Sequence, residues 1–331
     1  MAYIKAISYY LPKQVVTNAD LVAKFPEWTV EKIAEKVGVN QRHIAGNETI
    51  SQMAVNACQK LFAENPDINR EEIDFILLCT QSPDYFLPST ACIVQNALGI
   101  PKTCGAFDFN LGCSGYEYGL ATAKAYVDCG IAKNVLLITS EAYNKHIHPL
   151  DKGNRTIFGD ASSASLISNE GFAEIGDFIF GTDGSGAENL IVKSGGLALP
   201  DKIDDLVLDE NGNPVSSDYL YMNGAEIFSF TLRVVPKMVR QTLEKNSLMH
   251  EDINLFVFHQ ANSYMLSHLR KKLKIADEKF FVNMSEIGNT VSSTIPIALC
   301  DAEKVGILHG NILIAGFGVG LSWGACVLHC R

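Results

Sequence analysis

Positive charge is scarce in this 331-residue chain: Lys and Arg total 27 against 37 Asp and Glu, a formal net charge of −10. Such a surface repels nucleic acid and anionic lipid, so no nucleic-acid partner is expected. Only 19% of residues are charged while 47% are hydrophobic, which excludes a disordered chain. None of the nine cysteines stands in a C-x-x-C pair. That removes zinc ribbons and thioredoxin-like redox motifs, and no metal is expected. Met1 to Pro12 lacks the apolar run of a signal peptide. A reduced, cytoplasmic protein follows as the expectation, with most thiols acting as small buried hydrophobes.

One stretch, Val305 to Cys330, has no Asp, Glu, Lys or Arg. Gly316, Gly318, Gly320 and Gly324 fall inside it, each costing roughly 1 kcal/mol relative to Ala in a helix. Two buried strands around a glycine-rich turn are expected there, and no membrane span. The run Gly316-Phe317-Gly318-Val319-Gly320 has the wrong spacing for a dinucleotide fingerprint. A turn presenting backbone N–H groups to an oxyanion suits it better.

Apolar β-rich runs alternate with helical patterns, which argues for an α/β fold with sheets covered on both faces. Strands are predicted at Ile73–Cys79, Val135–Thr139, Ala164–Ile167, Leu255–Phe258, Asn311–Ala315 and Trp323–Leu328. Helices are predicted over Ser89–Leu98, over Gly115–Val127 (small and apolar nearly all round, so central), over Ala225–Glu244 with a break or bend at Pro236, and over Met265–Leu273. Phe172 to Leu220, rich in Gly, Asp and Asn, reads as irregular connection with edge strands. A boundary near residue 170 divides the chain into two units, 1–170 and 171–331.

Three polar residues interrupt these patterns where chemistry is possible. Cys113 follows an apolar strand and opens a helix, between Gly112 and Gly115. A helix N-terminus favours thiolate, the nucleophilic form of cysteine. His259 ends the strand Leu255–Phe258, and strand ends are where α/β folds bind ligands. Asn289 sits in Gly288-Asn289-Thr290. Taken singly, each also reads as ordinary structure: a packed thiol, a satisfied histidine, a turn.

Together the segments are more specific. The sequence resembles β-ketoacyl-[acyl-carrier-protein] synthase III, a condensing enzyme of the thiolase superfamily. The resemblance runs through Gly38–Ile44, Leu87-Pro88-Ser89, Phe107–Gly115, Phe158-Gly159-Asp160, Tyr221–Gly224, His259-Gln260-Ala261-Asn262, Gly288-Asn289-Thr290 and Gly316–Gly324, in family order. It implies a thiolase-like five-layered α-β-α-β-α fold built from two similar halves, the first carrying the nucleophile and the second the His and Asn. It implies acylation of Cys113 by an acyl-CoA primer, with an oxyanion hole from the backbone N–H groups of Cys113 and Val319. Decarboxylative Claisen condensation with malonyl-acyl carrier protein follows, His259 and Asn289 both donating to the malonyl thioester oxygen. The product is a 3-oxoacyl thioester, the first step of fatty acid synthesis. An alternative keeps acyl-Cys113 and passes the acyl group to a different acceptor in a secondary-metabolite or polysaccharide pathway.

The resemblance also implies substrate contacts at Trp28, Leu87, Phe158, Met222, Gly224 and Asn262. It implies a homodimer in which Leu87 reaches across the interface, and coenzyme A and phosphopantetheine thioesters as substrates with no further cofactor. Three positions depart from the family pattern. Tyr264 stands where an Arg usually meets the acidic carrier protein, which leaves Arg270, Lys271, Lys272 and Lys274 for docking. The Trp28-to-Gly38 interval is longer by four, so only Lys32 and Lys36 stand as candidates for the coenzyme A clamp. Val319 replaces a frequent Gly.

Overall fold

The computed structural model describes residues 1–210 and 212–331. Its first element is β1 (Tyr3–Tyr10), followed by β2 (Gln14–Thr17), the helices α1 (Asn18–Lys24) and α2 (Val30–Val37), and β3 (Gln41–Ile44), which pairs with β2. There follow α3 (Ile50–Glu64), β4 (Phe75–Cys79), α4 (Thr90–Leu98), β5 (Gly105–Phe109), α5 (Gly115–Asp128), β6 (Val135–Glu141), α6 (Lys152–Ile157) and β7 (Ala161–Ser168). The starts of α1 and α3 are set locally by capping boxes, Thr17 with Asp20 and Thr49 with Gln52.

After β7 come β8 (Ala173–Thr182) and four two-residue strands, β9 (Leu190–Ile191), β10 (Val207–Leu208), β11 (Pro214–Val215) and β12 (Tyr221–Met222). Of these β9 pairs with β12 and β10 with β11. The remainder is α7 (Gly224–Lys245), β13 (Leu255–Phe258), α8 (Ser263–Leu273), α9 (Thr294–Lys304), β14 (Gly310–Gly318) and β15 (Ser322–Cys330).

Nine strands form one mixed sheet system in the order β13-β14-β15-β8-β1-β7-β6-β4-β5. Its two wings repeat one pattern. β1–β7 and β7–β6 are antiparallel, β6–β4 and β4–β5 parallel. β8–β15 and β15–β14 are antiparallel, β14–β13 parallel, and a parallel bridge from Phe256 to Phe280 takes the fifth place. Only Tyr3–Glu174 and Ile4–Ala173 join β1 to β8.

Three large apolar clusters give the layers. Leu61, Ala91 and Val94 of α3 and α4 pack on Ile76, Leu78 and Ile138 of the first wing. Leu120 and Ala123 of α5, with Ile295 and Leu299 of α9, lie between Leu77 and Leu137 of the first wing and Leu255 and Ile314 of the second. Val235 and Met238 of α7, with Leu266 and Leu269 of α8, cover Phe256 and Leu313. The layering is therefore α-β-α-β-α, and burial between two sheets explains why α5 is built from small apolar residues.

Three expectations need correction. Phe172 to Leu220 is not all irregular connection with edge strands: β8, within it, lies in the middle of the sheet between β15 and β1. Of the break or bend expected at Pro236 the break is absent: α7 is continuous from Gly224 to Lys245, because its packed inner face outweighs one missing N–H. β1, a central strand, has no counterpart among the predicted strands; its tyrosines and lysine hide the apolar alternation Ile4, Ala6.

Candidate active site

Cys113 lies in the tight turn between β5 and α5, with Ser114 as the N-cap. It is buried. β14 passes so close that a Cβ on Gly318 would stand 2.8 Å from both Cβ and Sγ of Cys113, so only glycine fits there. Burial pushes the thiol up to about 12, with the nearby Glu141 and Glu117 carboxyls adding to the rise, while a hydrogen bond from the Val319 backbone pulls the other way. The thiolate expected from the helix terminus is thus outweighed by desolvation, and the resting sulfur carries its proton.

His259 follows β13, its backbone N–H donating to Ala315 O of the adjacent β14 at 2.9 Å. Phe317 meets the ring edge-on at 5.8 Å between centroids. Burial lowers the imidazole to about 3, so it is neutral at physiological pH. Its tautomer follows from its neighbours. The Thr294 hydroxyl donates to Val291 O at 3.0 Å, so its lone pair receives His259 Nδ1–H at 2.8 Å. Nε2 is then bare, facing the Asn289 amide nitrogen at 3.5 Å. Because a hydroxyl rotates freely, Thr294 can instead donate to Nδ1, which makes the Nε2–H form available without moving a heavy atom.

Asn289 is held by both backbone groups: its N–H donates to Ile157 O at 2.9 Å and its carbonyl accepts from Gly159 at 3.0 Å. Its side-chain oxygen takes the Val291 N–H at 2.9 Å, which turns the amide N–H toward His259 Nε2 and Ala261 O. Val291 adopts φ +57°, a strained conformation for a β-branched residue that costs about 1–3 kcal/mol. Both its backbone groups are used at this site.

Cys113, His259 and Asn289 line one small cavity of about 50 Å³ with Phe158, Met222, Asn262 and the backbone of Gly318. Gly224 begins α7 just beyond, capped by Asn223. Trp28 is elsewhere, packed against the core with Lys32 5.1 Å over its ring. Leu87 is 83% exposed beside Phe86, 88% exposed. Two buried acids, Glu141 and Glu117, lie near Cys113. Glu141 accepts the Gln81 N–H at 3.1 Å and the Ser292 hydroxyl at 3.1 Å, and burial raises it to about 8. Glu117, one turn beyond Cys113, has no partner for either oxygen, and burial drives its pKa well above the carboxylate range.

The basic run is divided. Arg270 Nε pairs with Asp277 at 3.2 Å and Nη1 donates to Ile275 O, so its charge folds back on its own loop. Lys274 forms the left-handed cap of α8. Lys272 lines a groove of about 710 Å³ together with Arg233, Lys237 and Arg240 of α7, and Lys271 is exposed nearby. The α7 row, spaced by four and three, is a signal that the sequence carries and the expected docking set omits. Among the described residues no His, Cys, Asp or Glu cluster could hold a metal, and no helix is long and apolar enough to cross a membrane.

Comparison with known proteins decides what this geometry belongs to. Family models described as 3-oxoacyl-[acyl-carrier-protein (ACP)] synthase III and its C-terminal portion match residues 107–184 and 243–330. A curated β-ketoacyl-[acyl-carrier-protein] synthase III from Clostridium perfringens is 38% identical over 322 residues, 96% of each chain. The chain belongs to the β-ketoacyl-[acyl-carrier-protein] synthase III family. A solved 3-oxoacyl-(acyl-carrier-protein) synthase III superposes on it with a TM-score of 0.96 at 46% identity, covering 99% of both chains. A second, from Burkholderia xenovorans, gives 0.89 at 36%, covering 99% of this chain and 93% of its own. Membership in this synthase III family makes the chain a condensing acyltransferase with a thiolase-like fold.

Proposed function

We propose that the chain transfers an acyl group from acyl-CoA to Cys113 and condenses it with malonyl-acyl carrier protein. One observation carries the reading: a buried thiol opens onto the same cavity as two side-chain nitrogens, of His259 and Asn289, that stand 3.5 Å apart. In the first half-reaction the Cys113 sulfur attacks the thioester carbon, and its proton passes to the bare Nε2 of His259. Backbone N–H groups of Cys113 and Val319 hold the oxyanion; the carbon–sulfur bond to coenzyme A breaks and the departing thiolate takes up that proton. A low imidazole pKa favours this return.

Before the second half-reaction His259 gives up its Nδ1 proton and takes one up on Nε2 by exchange with solvent. Thr294 then donates to Nδ1, so Nε2–H and the Asn289 amide both donate to the malonyl thioester oxygen. The bond to the carboxylate breaks, CO₂ leaves, and the enolate carbon attacks acyl-Cys113. Expulsion of the sulfur with uptake of one proton restores the thiol. Fixed donors act differentially because the oxygen gains charge only near the transition state. No other cofactor enters these steps.

The same reading takes residues 1–170 and 171–331 as two similar halves around one site, in the cytoplasm. It takes a homodimer covering the Phe86-Leu87 tip as the working unit. The acidic carrier protein docks on Lys271 and Lys272 together with the α7 row Arg233, Lys237 and Arg240, in place of Arg270 and Lys274.

Intact-mass analysis tests the core of the proposal. Wild type gains an acyl group from acetyl-CoA, and Cys113→Ala gains none. Full loading of that variant sinks the nucleophile assignment.

A further inference from the structure

A second cavity, about 250 Å³, adjoins the first. The two share Leu190 as a wall, and the turn residue Val319, whose backbone faces Cys113, lines the second. Neither His259 nor Asn289 reaches it. Its polar side chains are Gln81, Asn110, Tyr143 and His146, with no cation and no carboxylate. They form an ordered array. Tyr143 Oη donates to Gln81 Oε1, and Gln81 Nε2 donates to Asn110 Oδ1 at 2.9 Å. His146 pairs with Ser82 Oγ at 3.2 Å, and burial holds its ring neutral.

This array borders the nucleophile. A Cβ on Gly112, the residue before Cys113, would stand 2.6 Å from Gln81 Oε1 and 2.5 Å from Val319 Cγ1. The Tyr143 ring packs on Phe158 of the catalytic cavity at 5.3 Å between centroids. An acyl group on Cys113, its oxygen held by the Cys113 and Val319 N–H groups, has the polar array within reach of its tail. The array's unused capacity is the second N–H of Gln81, the amide N–H pair of Asn110 and the lone pairs of Tyr143 Oη.

We infer that Cys113 accepts a short acyl group whose tail carries a neutral oxygen, a hydroxyl or keto group, selected by Gln81, Asn110 and Tyr143. This rests on the acyl-Cys113 reading above. An alkyl tail displaces water from amide hydrogens and returns no acceptor to them. A carboxylate tail loses its hydration with no cation to meet it.

The test compares loading of wild type by 3-hydroxybutyryl-CoA, butyryl-CoA and succinyl-CoA, followed by intact mass and by release of coenzyme A. The hydroxylated chain loads with a kcat/KM about tenfold or more above butyryl, and succinyl is slowest. Butyryl equal to or faster than 3-hydroxybutyryl overturns the inference. Gln81→Leu and Asn110→Leu each bring the ratio of the two four-carbon substrates toward one; an unchanged ratio in both removes these residues from selection. Asn110 is exposed, so its substitution reports even where Gln81→Leu fails to fold. Absence of any adduct on wild type, acetyl-CoA included, overturns the acyl-Cys113 reading itself, a different result from loading without preference.

Discussion

The turn that carries Cys113 and the turn that carries Asn289 occupy matching places in the two wings, each leading from the fifth strand position into a central helix, α5 or α9. They deliver opposite chemistry. The first wing offers a soft nucleophile at the lip of its helix. The second inserts a strained three-residue turn, Val291–Ser293, before α9, which sets Asn289 further back with its amide fixed as a donor. The strand ends differ likewise. His259 follows β13 where Thr80 follows β4, and Thr80 spends its hydroxyl on the Ser82 N–H at 3.0 Å. A shared topology supplies positions; under the proposed mechanism the first wing supplies the nucleophile and the second the proton acceptor and the enolate donors.

That division can be broken experimentally. His259→Ala and Asn289→Ala remove second-wing donors, so malonyl decarboxylation falls about 10²–10³-fold in each while Cys113 still loads, more slowly in His259→Ala, which also lacks the proton acceptor. Wild-type decarboxylation in either variant refutes the division. Thr294→Val leaves Nδ1–H donating to the Val291 carbonyl and locks Nε2 bare. Decarboxylation then drops about tenfold while acyl loading changes little, and Thr294→Ser restores it, through the hydroxyl donor it returns. Nitrogen-15 shifts of His259 report the tautomer directly, and equal loss in both half-reactions refutes the hydroxyl's role.

Outside the cavity, Arg233→Glu with Lys237→Glu raises KM for malonyl-carrier protein several-fold without changing KM for acyl-CoA. Arg270→Glu does less, because its partner Asp277 already neutralises it. Equal effects of the two changes contradict the α7 placement.

The smallest expected effect concerns Glu117 in the first wing. Its carboxyl has an ordinary value of 4.5 and is raised well above it by burial. From about pH 4.5 upward the unfolded chain releases this proton while the folded one keeps it, so the folded state binds more protons and loses stability as pH rises. Glu117→Gln cancels that slope: its melting temperature gains on wild type by several degrees between about pH 5 and about pH 8. Parallel melting curves across that range contradict a buried neutral acid.

Much of this site is legible as interruptions of pattern. Cys113, His259 and Asn289 stand where apolar periodicity stops, at a helix start, a strand end and a Gly-Asn turn, and the fold brings all three to one cavity. What stays hidden depends on neighbours distant in sequence. Burial of the Cys113 thiol is made by β14, about two hundred residues away. The His259 tautomer depends on Thr294, an unremarkable cap position in the sequence. Arg270 reads as a free cation until Asp277 folds against it. β8 escapes notice because only Ala173 and Ile175 of its ten residues are buried, so its alternation is weak.

The strand order sets a timetable for synthesis. β7 completes the first wing once residue 168 has been made, but β15 lies between β14 and β8, so the second wing cannot close before residue 330. At translation speeds of about 5–20 residues per second, that leaves roughly 8–30 seconds in which α5 stands without its cover. Gly318, which shields the Cys113 sulfur, arrives near the end of this interval. Until then the Cys113 sulfur lacks the β14 backbone that packs against it in the finished fold.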